Sequence, residues 1–162
     1  MRAWLLLLLV ACDKGQSRRD DGKPPTLEQQ APLAVHAQPK VVLSGPNGDL
    51  TVAVEVVSAG PALQKGLMYR EHLAPDAGML FLMGYETDHA FYMRNTLIPL
   101  DMMFITKDFT VAGIVENAEP KTETLRRVGK PSVYVLEVNG GWSASHHIGA
   151  GTKVRFENVA GM

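Results

Sequence analysis

The chain has 162 residues, 46% hydrophobic and 20% charged, which suits one globular domain and is short for two of ordinary size. Lys and Arg total 16 against 17 Asp and Glu, a net charge of −1 without the basic excess that nucleic-acid binding usually needs. The single cysteine excludes an intramolecular disulfide and a zinc site built from several thiolates.

Met1-Arg2 precedes an unbroken apolar stretch, Ala3 to Ala11. It is far short of the roughly 18 residues that a membrane-spanning helix needs, and it fits the core of a secretory signal peptide over residues 1–11. It ends at Leu9-Val10-Ala11-Cys12, which resembles a bacterial lipobox. In that class the signal is cut before the cysteine, which then carries the lipid. Cys12 is therefore the expected lipid-attachment site. Acyl chains would hold the protein on a membrane, each buried methylene adding about 0.8 kcal/mol. Residues 12–39 read as the lipidated cysteine and a disordered tether. The segment holds Pro24, Pro25, Pro32 and Pro39, the charged patch Arg18-Arg19-Asp20-Asp21, and too few large apolar residues to offset its ordering entropy. As a coil it would reach on the order of 30 Å.

A globular domain is expected over residues 40–158. Val41-Val42-Leu43 and Thr51 to Ser58 read as a hairpin around the turn signal Ser44-Gly45-Pro46-Asn47-Gly48. Pro61 to Arg70 predicts a short helix opened by proline. Met79 to Met83, His89 to Arg94, Leu100 to Thr106 and Phe109 to Glu116 read as strands, followed by a polar loop from Asn117 to Gly129. Ser132 to Val138 is a further strand, broken by Gly140-Gly141. Trp142 to Ile148 predicts one or two helical turns, and Thr152 to Phe156 a last strand. The expected fold is mainly β (α+β), a small antiparallel barrel or sandwich of seven to eight short strands with two short flanking helices.

The chemistry rests on polar residues inside apolar runs. Asp101 stands within Ile98-Pro99-Leu100-Asp101-Met102-Met103-Phe104-Ile105, where a carboxylate needs a partner or loses its charge. Arg94, Asn95 and Arg70 are its candidate partners. Glu137 lies within Val135-Leu136-Glu137-Val138, and Glu119 precedes Pro120. These groups could converge on one end of the sheet, as a ligand site or as a structural ion-pair cluster. His89 and Met93, and the pair Met102-Met103, admit a copper reading, but methionine is also common core filler, so no metal is expected.

The ordered series Gly66-Leu67-Met68-Tyr69-Arg70, Gly78-Met79-Leu80-Phe81, Phe91-Tyr92-Met93-Arg94-Asn95-Thr96, Ile98-Pro99-Leu100-Asp101, Ala118-Glu119-Pro120 and Tyr134-Val135-Leu136-Glu137 resembles the family called domain of unknown function 192. The resemblance covers roughly residues 41–156. It implies a compact mainly-β fold in proteins that are often exported or membrane-anchored, and it supplies no activity. Tyr92 stands where that family often has tryptophan, and Arg94 where it often has lysine. The family's recurrent polar positions fall on Arg70, Arg94, Asn95, Asp101, Glu119 and Glu137.

The expected function is a lipid-anchored accessory or binding module of the bacterial cell envelope, on the periplasmic or surface side. Its polar cleft would hold a small polar ligand or a segment of an envelope protein, with no cofactor and no nucleic-acid partner. An envelope hydrolase using Asp101 or Glu119 as general base, and a purely structural envelope protein, are the alternatives.

Overall fold

The turn at Pro46-Asn47 joins β1 (Lys40–Gly45) to β2 (Gly48–Val57) as an antiparallel hairpin, with Gly45 opposite Gly48. The computed structural model describes residues 37–160, so the predicted leader, Cys12 and most of the predicted tether lie outside the described residues. After the hairpin come α1 (Gly60–Lys65), β3 (Ala77–Thr87), β4 (Leu100–Ile105), β5 (Val111–Ala118), β6 (Ser132–Asn139), α2 (Trp142–Ser145) and β7 (Val154–Glu157). The strands form one sheet in the order β5-β4-β6-β3-β2-β1-β7. Every neighbouring pair is antiparallel except β2 and β3, which run parallel. A parallel pair cannot be joined by a tight turn. The chain therefore leaves the sheet after Val57, crosses one face through α1, and re-enters at Ala77.

The sheet curls until its ends approach each other. The Val111 N–H donates to the Thr152 carbonyl at 2.9 Å and the Val154 N–H to that of Phe109 at 2.9 Å, beside an antiparallel bridge between Thr110 and Lys153. Side chains alternate between the two faces of each strand. The concave face gathers Val41, Val52, Leu80, Met103, Ile105 and Leu136, plugged by Trp142 and Ile148. The convex face carries Met79, Phe81, Met102, Phe104 and Val135 under Leu67, Leu73 and Met93. Both faces are covered at β4, so all of its residues are buried and its alternation is invisible in hydrophobicity.

Two expected elements differ. The helix predicted to run to Arg70 stops at Lys65. Gly66 turns into positive φ (47°), which delivers Leu67 into the convex core. The segment His89 to Arg94 is not a strand of the sheet. Its alternation is real, since His89 and Met93 are buried while Ala90 and Tyr92 are exposed. Both edges of β3 are already taken by β2 and β6, so the segment lies outside the sheet, bridged at Phe91 to Arg126 and hydrogen-bonded from the Met93 N–H to the Thr122 carbonyl.

Asp101 fixes one end of this arrangement. It shares the concave face with Met103 and Ile105 and is fully buried. Its Oδ1 accepts the backbone N–H of Asn117 at 2.7 Å and of Gly141 at 2.9 Å, and its Oδ2 accepts the N–H of Ser143 at 2.7 Å. The expected arginine and asparagine partners are replaced by main-chain donors. The first N–H groups of a helix have no partner inside it. Gly141 flanks α2 at φ 82° and has no side chain to cap it, so the carboxylate arrives from β4 instead. In Asp101→Asn an amide NH₂ replaces one acceptor oxygen and faces an N–H. The expected loss is about 3 kcal/mol, read in thermal unfolding as a fall of roughly 10 °C in Tm. An unchanged midpoint would show that the three hydrogen bonds contribute little.

Candidate functional site

Glu137 stands on the convex face of β6, between its register partners Met79 on β3 and Met102 on β4. The crossover after β2 passes over it. At Gly66 the positive φ excludes most side chains, and a Cβ would lie 3.1 Å from the Phe81 ring and 3.9 Å from Oε2 of Glu137. Glycine here lets the backbone approach the carboxyl without filling the space above it. What remains is a cavity of about 220 Å³ with Glu137 and Thr96 as buried polar groups and Leu63, Leu67, Phe81 and Phe91 in its walls.

Glu137 is 5% exposed, and no hydrogen bond or ion pair reaches its carboxylate from any described residue. Burial in this apolar surrounding disfavours the charged form and pushes its pKa up to about 8. At neutral pH the group is mostly a protonated acid, able to donate one hydrogen bond and to accept others.

The other expected site residues do not join it in one cluster. Asp101 and Glu137 project from opposite faces of the sheet, one among the concave core residues and the other into the convex cavity. Arg70 pairs with Glu55 of β2 beside a second hollow of about 300 Å³, across Lys65, Gly66 and Met68 from the cavity. Glu55 holds the Arg70 guanidinium above its usual range. Arg94 makes a two-pronged pair with Glu123, at 2.9 and 3.0 Å, and its guanidinium lies 5.2 Å from the Tyr92 ring centre. That pair is exposed, and Arg94 holds the Glu123 carboxyl below the usual carboxylate range. Asn95 adopts positive φ (57°) and its carbonyl accepts the Tyr69 N–H. Glu119 is exposed, and its main-chain carbonyl accepts the Thr122 hydroxyl. The histidine and methionines of the copper reading are core groups: Met102 and Met103 face opposite sides of the sheet, and buried His89 bonds the Tyr85 carbonyl through Nε2.

Leu63, Gly66, Phe81, Phe91 and Thr96 form most of the site and were not expected there from the sequence. The predicted helix from Pro61 to Arg70 enclosed Gly66, and a glycine inside a helical pattern ordinarily reads only as a weak point or an early end of the helix.

The chain belongs to the family described as uncharacterised ACR, domain of unknown function 192, whose model matches residues 42–156. A crystal structure from Sinorhizobium meliloti 1021, described as that of a candidate transcription regulator, is 35% identical, with a TM-score of 0.71 over 76% of this chain and 97% of that one. A protein of unknown function from Novosphingobium aromaticivorans DSM 12444 is 34% identical, with a TM-score of 0.70 over 83% of this chain and 99% of that one. No curated protein matches the chain.

The Glu137 environment sets a pH dependence of stability. Between the ordinary glutamate value of 4.5 and about 8 the folded state holds a proton that the unfolded chain has released. Raising the pH through this window therefore destabilises the fold, by about 1 kcal/mol per pH unit. Glu137→Gln removes this dependence. In urea titrations from pH 5 to pH 8 the variant should gain on the wild type steadily as pH rises. Parallel profiles for the two proteins would contradict a protonated Glu137.

Proposed function

We propose that this protein is a lipid-anchored binding module of the cell envelope and that its ligand site is the Glu137 cleft. One observation carries the site: a carboxyl group, nearly fully buried and without a protein partner among the described residues, stands with Thr96 as the buried polar lining of a cavity walled by Leu63, Leu67, Phe81 and Phe91. A buried polar group ordinarily has a hydrogen-bond partner, and one that faces a cavity is available to a ligand. The hydrolase alternative receives less support. Both Asp101 oxygens are engaged by main-chain N–H groups in the sheet interior, and Glu119 lies on the surface away from the cavity. A role in transcription regulation, the description given for the Sinorhizobium structure, receives no support from charge if it needs nucleic-acid contact, since this chain has no basic excess.

The anchor rests on Leu9-Val10-Ala11-Cys12 after the apolar Ala3 to Ala11 stretch. Among the described residues no helix is long and apolar enough to cross a membrane. A tether of residues 12–39 would hold the binding domain off the lipid surface on the periplasmic or outer side.

Two measurements test the two halves. Palmitate labelling in a bacterial host should mark the wild type and be lost in Cys12→Ser; a labelled variant or an unlabelled wild type would remove the anchor. A nuclear magnetic resonance screen of small amphipathic compounds against the full chain in mild detergent should shift signals of Gly66, Phe81, Phe91 and Thr96 together. Hits confined to other surfaces would remove the cleft as the site.

A further inference from the structure

The cavity's contents narrow the ligand further, on the premise that the cleft is a binding site. We propose that it takes a protonated primary amine on a short apolar body, with the ammonium seated on the Glu137 carboxylate beside Thr96 and the body against the wall formed by Phe81 and Phe91. The two buried polar side chains facing the cavity, Glu137 and Thr96, can both accept a hydrogen bond from an ammonium. A carboxylate ligand would instead meet another carboxyl in an apolar surrounding. Phe81 and Phe91, which meet edge to face at 5.2 Å, give the apolar body an aromatic wall, and Tyr92 stands at the mouth with the Arg94 guanidinium over its ring. An ammonium also supplies the opposite charge that a buried carboxylate otherwise lacks. The volume, about 220 Å³, sets the size. At about 30 Å³ per water-sized group it holds roughly seven non-hydrogen atoms. That suits a free alkylamine or the end of a lysine side chain, and both present the same chemistry.

Among the described residues, the ionisable groups facing Glu137 are few. The neighbouring strands β3 and β4 present Met79, Phe81 and Met102, none of which ionises. The crossover contributes Lys65 and the segment after β3 contributes Tyr92, and both are exposed at the mouth. Lys65 makes no ion pair with Glu137 and opposes an incoming cation. The site therefore has one carboxyl whose proton must leave before an ammonium can sit on a charged partner, and its pKa lies near 8.

The test is a set of titrations of the full chain in mild detergent, followed by magnetic resonance at several pH values. The probes are hexylammonium chloride, 1-hexanol, sodium hexanoate and a pentapeptide with one central lysine. An alkylammonium, with a pKa near the lysine value of about 10.4, keeps its charge throughout this range. Affinity for hexylammonium should rise about tenfold per pH unit from pH 6 to pH 7 and level off above pH 8, following the ionised fraction of Glu137. At pH 8, Glu137→Gln should weaken it at least tenfold and flatten the profile, while Lys65→Met, at an exposed position, should strengthen it two- to threefold. The stronger of hexylammonium and the lysine peptide identifies the source of the amine. Equal binding of hexanol with a flat pH profile, or tighter binding of hexanoate, overturns the amine assignment while leaving the cleft a binding site. Absence of every probe from the cleft overturns the binding reading itself. Should Glu137→Gln fail to fold, the wild-type pH profile and Lys65→Met decide the question between them.

Discussion

The ordering of this fold depends on one carboxylate that never meets solvent. Asp101 gathers three main-chain N–H groups from two different parts of the chain, the end of β5 and the corner between β6 and α2. Each of those segments has a reason to need it. Asn117 sits in a left-handed conformation with its N–H turned inward, and α2 is too short and too poorly capped to satisfy its own first turn. A charged acceptor in a dry interior gives stronger hydrogen bonds than a neutral one, and it leaves no orphaned donors. The corner it fixes places Trp142 under the concave core, and that plug lets the sheet curl around a filled interior.

The second constraint is the single parallel pair. Because β3 runs alongside β2 in the same direction, the connection between them must pass over the sheet. It passes over the convex face, directly above β6, and Gly66 brings the backbone close without closing the gap. The cavity is thus a consequence of topology.

Asp101 and Glu137 show how the same chemical group acquires opposite properties from its surroundings. Both are carboxyls in the middle of apolar strands, and both are buried. One has its oxygens filled by backbone donors and serves the fold. The other has no such donor among the described residues, carries its proton to about pH 8, and is the group with unspent capacity to bind. Register explains why they never share a site: Asp101 lies opposite Val138 and Met102 lies opposite Glu137, so the two acids belong to alternate rows and to different faces.

From the sequence alone, local signals determined a good deal. The Ser44 to Gly48 turn, the β-branched run of β2, the Gly140-Gly141 break and the proline at the start of α1 each act within a few residues, and the structure keeps all of them. The family motifs and the oddity of Asp101 and Glu137 in apolar strands were equally legible, because composition in a short window is enough to see them. Tertiary structure decided the rest. Whether His89 to Arg94 joins the sheet depends on whether a free edge awaits it, and β3 had none. The partners of Asp101 are peptide N–H groups, which every non-proline residue carries and no sequence marks. The membership of the Glu137 cavity comes from the crossover and from β3, β6 and the segment around Phe91. Periodicity states how residues alternate along one strand. It does not state which face another segment will cover, because that is settled by non-local packing once the sheet has formed.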